Sequence, residues 1–212
     1  MEIREAKRLG IAAQVTEIDF PVIMERMRGS VKESHDRMQE AMEKAEEFDV
    51  YFGEARFTGD YTLEVTGKKF KGKTIFIVTG ARPLIPPVKG IESVPYLTNE
   101  SALQLRERPE SMVIIGGGYI AVEFAHFFDA VGAKVTIVQR NKQLVPEEEP
   151  EVAELLKTSL ARRMEVHTNT EAVEVRKDGG GITVTNTTAD ILYIDSGAAT
   201  ITYSILLLGR SA

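Results

Sequence analysis

Between residues 21 and 48 the apolar positions recur at helical spacing: Val22, Ile23, Met24, Met27, Val31, Met38, Met42 and Ala45, with charged residues between them. The pattern predicts one long amphipathic helix, or two shorter ones broken near Gly29-Ser30. The methionine stripe reads as a packed helix face rather than an adaptable binding surface. After Asp49 the period shortens. Residues 50–52, 55–58, 61–65 and 74–78 alternate or run apolar between glycine turns, which predicts short strands of an antiparallel meander. Pro83, Pro86, Pro87, Gly90 and Pro95 then mark an extended linker and a domain boundary.

The second half changes character. Residues 112–115 read as a strand, 119–131 as an amphipathic helix and 134–138 as a second strand, a βαβ order. The acids Glu147, Glu148, Glu149 and Glu151 fall at the start of a further helix over residues 152–162. Negative charge there offsets the helix dipole, and no histidine or aspartate joins the acids to make a metal site. From Glu165 onward short strands return around turns at 178–181 and 196–197. The fold class is therefore α/β.

Composition narrows the function. Hydrophobic residues are 43% and charged residues 27% of the 212 positions, the balance of a soluble globular protein. The longest apolar runs, such as residues 201–208, are too short to cross a bilayer, and no secretory signal pattern opens the chain. The expected location is the cytoplasm, with no membrane partner. A net charge of −6 argues against a nucleic-acid partner. The one basic run, residues 68–73, reads as a solvated hairpin or edge strand whose lysines discourage edge-to-edge pairing. The chain has no cysteine, which removes disulfides, thiolate metal sites and cysteine redox chemistry.

The stretch MVIIGGGYIAVEFAH, residues 112–126, carries the chemistry. Gly116, Gly118 and Ala121 fit the dinucleotide fingerprint, with alanine at the third position. The first glycine permits the sharp turn off the strand, the second admits pyrophosphate to the backbone, and the third position lets helix and strand pack closely. The phosphates would meet free N–H groups of Gly117, Gly118, Tyr119, Ile120 and Ala121 around a helix N-terminus. About 20 residues on, the second strand ends at Gln139 instead of an acid. A neutral residue followed by Arg140 suits a ribose carrying a 2′-phosphate, which favours NADP over NAD; the other reading makes Arg140 a solvated loop residue.

These residues carry a resemblance. VIIGGGYIAVEFAHFFDAVGAKVTIVQR is similar to the pyridine-nucleotide domain of the flavin-dependent disulfide oxidoreductases, the family of dihydrolipoamide dehydrogenase, mercuric reductase and glutathione reductase. IFIVTGARPLIPPVKGIE, residues 75–92, resembles the segment by which that family leaves its flavin domain, and the EFAH stretch resembles mycothione-reductase-like members. The resemblance implies a Rossmann-like NAD(P)-binding domain over residues 99–212, preceded over residues 1–98 by a partial flavin domain of a long helix plus an antiparallel meander. It implies that Tyr119 lies over the nicotinamide pocket and that Glu123 sits near the nicotinamide. The other reading of Glu123 is a solvated position on a helix face. His126 has no visible catalytic partner and reads as structural.

The chain departs from the family pattern in lacking the flavin fingerprint, the redox cysteine pair and the interface domain with its histidine–glutamate pair. Residues 206–210 resemble the family's closing strand-to-turn segment with residues missing. The sequence thus reads as the middle of an oxidoreductase that binds dinucleotide without turnover, with no catalytic residue of its own and FAD left to the intact family. The alternative is an inactive fragment that self-associates as a homodimer through exposed flavin-domain surfaces.

Overall fold

The computed structural model describes residue 3, residues 6–80, 82–178 and 181–188, and the backbone of 191–194. The described residues form two compact units, one within Arg26–Arg82 and the other within Met1–Glu25 and Pro83–Ala212. Residues 195–212, including the predicted turn at 196–197 and the closing segment at 206–210, lie outside the described residues.

A 24-residue helix, α1 (Phe20–Glu43), starts where Asp19 Oδ1 accepts the Val22 N–H at 3.0 Å. Its first turn buries Phe20 and Met24, and the Phe20 ring lies 6.4 and 6.3 Å from those of Phe127 and Phe128. The helix runs unbroken through Gly29-Ser30, against one of the two sequence readings. Side-chain pairs four residues apart (Lys32–Asp36, Gln39–Glu43 and Glu40–Lys44) support its exposed C-terminal half. The methionine stripe packs only in part: Met24 is buried, whereas Met38 is 66% exposed.

Within residues 26–82, β1 (Ala55–Gly59), β2 (Thr62–Val65) and β3 (Lys68–Lys71) form the antiparallel meander in the order β1-β2-β3. The β2–β3 turn places both Thr66 and Gly67 at positive φ, 49° and 81°, the twist a two-residue hairpin requires. The basic run supplies the edge strand, where Lys69 faces Glu64 across the ladder. Residues 50–52 and 74–78 are not strands. In the second run Phe76, Ile77 and Val78 are 84, 68 and 91% exposed. Apolar character predicts burial, but a strand also needs a partner ladder, and among the described residues none pairs with this run.

The second unit holds a short helix α2 (Asn99–Ala102), then β4 (Ser111–Ile115), α3 (Tyr119–Ala130), β5 (Lys134–Gln139), α4 (Pro150–Ala161) and β6 (Glu165–Thr168). The strands β4, β5 and β6 pair in parallel in that order, with Ile114 opposite Ile137 and Gln139 opposite Thr168. Ile114 and Ile137 are fully buried, as the apolar runs of parallel strands require. Ala121, Ala125 and Phe128 of α3 are buried too. Glu149 precedes α4, Pro150 opens it and Glu151 lies in its first turn, so the acidic cluster marks a helix start.

Beyond β6 lies an antiparallel meander of β7 (Ala172–Asp178), β8 (Gly181–Asn186) and β9 (Ile191–Ile194). The proline-rich stretch after Arg82 is packed chain rather than an extended linker. Val88, Ile91 and Val94 are buried with Val138, Val175 and Ile182 in one cluster. Lys89 bridges β7 by donating to Val173 O at 3.1 Å and accepting from Val175 N at 2.8 Å. Prolines exclude a longer α-helix there, and only a 3-10 turn forms at Ile91–Ser93, but apolar residues three apart still find a core to enter.

A candidate dinucleotide site at the turn between β4 and α3

The turn after β4 is built for close approach. Gly116 takes a φ of 120°, a left-handed value that favours glycine, and its N–H donates to Val138 O at 2.8 Å. A Cβ on Gly117 would lie 2.8 Å from both Gln139 Cγ and Leu144 Cδ2, so this position must be glycine for the loop to sit on β5. Gly118 differs. It is the N-cap of α3 at φ −74° and ψ 178°, and nothing lies within 4 Å of where its Cβ would be. Having no side chain, it leaves the first N–H groups of the helix without a side-chain acceptor at the cap.

The remaining fingerprint positions fall into place around that cap. Ala121 is fully buried between α3 and the sheet, where a larger side chain would push the helix away. Ile120 is half-buried, while Tyr119 and Glu123 are exposed. Gln139 ends β5 buried beneath the loop, its amide donating to Gln143 O at 3.4 Å, and Arg140 beside it is exposed. His126 is held on the far part of α3: Arg163 Nη2 donates to its Nδ1 at 3.2 Å, while Arg163 Nη1 donates to Asp129 Oδ2 at 2.7 Å. This fastens α3 to the chain after α4, a structural use of the histidine.

A cavity of about 210 Å³ opens beside Gly116, lined among others by Leu84, Gln139, Arg140, Thr170 and Glu171. It stands at the carboxyl ends of the parallel strands, where open α/β sheets take their ligands. Sequence reasoning missed two of its walls, residues 84–88 and 170–172, which sit far apart along the chain and carry no shared local signal. It also missed Leu144 and Val145, which pack on and hydrogen-bond to Gly117. Among the described residues no group of three His, Cys, Asp or Glu is placed to hold a metal.

A βαβ unit with this glycine turn and an open helix N-cap is an α/β fold of the Rossmann-like class. The chain belongs to the pyridine nucleotide-disulphide oxidoreductase family, whose sequence profile matches residues 4–205. It is 36% identical over 156 residues to a mercuric reductase of Staphylococcus aureus, covering 73% of this chain and 28% of that protein. With a mycothione reductase of Mycobacterium tuberculosis it shares 30% identity over 206 residues, 92% of this chain and 45% of that one. Among solved structures, the Cu(II) complex of the HOCl-induced flavoprotein disulfide reductase RclA from Escherichia coli superposes with a TM-score of 0.76 at 26% identity. That match covers 97% of this chain and 44% of RclA. The chain thus spans less than half the length of these relatives. No helix among the described residues is long and apolar enough to cross a membrane.

Proposed function

We propose that this chain is the NAD(P)H-binding segment of a flavin-dependent disulfide oxidoreductase of the dihydrolipoamide dehydrogenase type. The observation that carries the reading is the pairing of an immovable Gly117 with an open Gly118 at the N-cap of α3. The space a Cβ would fill on Gly118 is the space a pyrophosphate needs, and the helix N-terminus favours its charge. Residues 99–212 would form the nucleotide domain and residues 1–98 the remainder of a flavin domain. The nicotinamide, when bound, supplies hydride for a flavin held elsewhere in the intact enzyme, and the disulfide is the electron acceptor of that whole protein. The chain alone binds nucleotide without turnover, in the cytoplasm.

In this reading the N–H groups around Gly117, Gly118, Tyr119 and Ile120 hold the pyrophosphate, and Ala121 keeps the helix close behind them. Tyr119 and Glu123, both exposed on the first turns of α3, face the nicotinamide end. At the adenosine end Gln139 carries an amide where a ribose 2′-hydroxyl would need a carboxylate, and that side chain is buried with its Nε2 donating to Gln143 O. Arg140 is an exposed cation beside it, on the cavity wall. This supports NADP over NAD.

Arg140→Ala is expected to weaken NADPH by roughly 10-fold, the size of a lost charge-assisted hydrogen bond, and NADH by less than about 2-fold. Calorimetric titration of both cofactors against both proteins measures this directly. Equal losses would leave Arg140 a solvated loop residue and remove the preference. A second reading, self-association as a homodimer, is favoured by the exposed Phe76, Ile77 and Val78, an apolar run of the kind that draws a partner.

A further inference from the structure

The orientation of the Gly117–Gly118 peptide is set from outside the glycine loop, and its bearing on ligand binding rests on the nucleotide-binding reading above. In a trans peptide the carbonyl of one residue and the N–H of the next point in opposite directions. The Gly117 carbonyl accepts the Val145 N–H at 2.6 Å, on the side where Gln139 and Leu144 close over Gly117. The Gly118 N–H on the other end of the same peptide is thereby turned away from that packed side. The residue that carries it has open space at its Cβ position.

Val145 is an unusual donor. It is buried, β-branched and followed by Pro146, yet its φ is 42°. Branching at Cβ disfavours the left-handed region, and a following proline restricts the backbone further. The conformation is held by a web of short-range ties. Glu148 N donates to Val145 O at 2.8 Å, Gln143 Nε2 to Glu148 O at 3.0 Å and Gln139 Nε2 to Gln143 O at 3.4 Å, while Leu144 is fully buried. A strained residue kept in place this thoroughly is the pattern found at ligand clamps.

We propose that Val145 is a positioning residue for the dinucleotide: its backbone N–H pins the Gly117 carbonyl and so presents the Gly118 N–H to the pyrophosphate before the ligand arrives. The donor is then aligned in advance, which removes an ordering cost from binding. The loop after β5 thus serves the phosphates as well as the ribose.

The test uses two probes on the full chain, ADP-ribose, which carries the pyrophosphate, and adenosine, which does not. Exchanging Val145 for its α-hydroxy acid, an amide-to-ester replacement, deletes the donor while keeping the side chain and the positive φ that proline could not adopt. It is expected to weaken ADP-ribose by about 10-fold or more while adenosine changes by less than about 2-fold, because without the bond to the Gly117 carbonyl the Gly118 N–H is no longer held toward the charged pyrophosphate. A general disturbance of the site would weaken both probes alike, and that result overturns the proposal, as does unchanged affinity for ADP-ribose. If the variant does not fold, amide exchange on the unaltered chain decides. A protected Val145 amide, with a Gly118 amide that shifts on adding ADP-ribose, supports the proposal; a Val145 amide exchanging at the rate of an open loop overturns it. Failure of the unaltered chain to bind ADP-ribose at all would instead defeat the nucleotide-binding reading, and this one with it.

Discussion

Gly118→Val is expected to leave the chain folded and to cost it dinucleotide binding by roughly 100-fold or more, about 3 kcal/mol. The two halves of this result have separate physical origins. A Cβ at Gly118 meets nothing within 4 Å, and φ −74° with ψ 178° is an extended conformation that valine adopts readily. The unfolding temperature should therefore move by no more than about 2 °C, since nothing in the packed structure is displaced. The branched side chain would nevertheless occupy the approach of the pyrophosphate to the N–H groups of α3.

The neighbouring glycine is the internal contrast. At Gly117 even a single methyl group would press on Gln139 and Leu144, both buried, an overpacking that costs about 1–3 kcal/mol. Adjacent glycines thus differ: Gly117 is required by the packing, and Gly118 by the ligand in the proposed reading. A folded Gly118→Val protein that binds NADPH with unchanged affinity would contradict the assignment of this turn.

Gly90→Ala should produce the largest loss of stability. Gly90 sits at φ 82°, which costs an alanine about 1–2 kcal/mol. Its Cβ would also collide with Val175 O. That oxygen belongs to the backbone of β7, so no rotamer change relieves the contact. The chain must move, and the bridge between Lys89 and β7 moves with it. The combined cost is about 4 kcal/mol, at the upper end for one substitution, or a fall of ~10 °C in unfolding temperature. Thermal denaturation followed by circular dichroism reads this out. An unchanged transition would mean that residues 83–94 are the loose connection their prolines first suggest.

The contrast between Gly118 and Gly90 shows what a sequence makes legible. The β4–α3–β5 unit could be read because everything that defines it is local: an apolar strand, glycines at set spacing, a helical period, then another strand. Ala121 could be placed for the same reason, since its role depends on a fixed distance from Gly116. Gly90 read only as a marker of an extended linker, because the atom that forbids a side chain there belongs to Val175, far along the chain. Val88, Ile91 and Val94 were hidden among prolines, which disfavour a long α-helix without excluding burial. The opposite error occurred at residues 74–78, where apolar content suggested a strand but strand formation depends on a partner. The orienting contact from Val145 had no signal at all, because it is made by backbone atoms of a residue with no chemistry in its side chain.

Dinucleotide binding at the cap of α3 can be tested without any substitution, by isothermal titration of the unaltered chain with NADPH and with NADH. Saturable binding of both, tighter for NADPH, is the predicted result, and a matching rise in unfolding temperature should accompany it because the ligand selects the folded state. No heat and no thermal shift with either cofactor, from a chain that unfolds cooperatively, would contradict it: the glycine turn would then be a retained shape without its ligand.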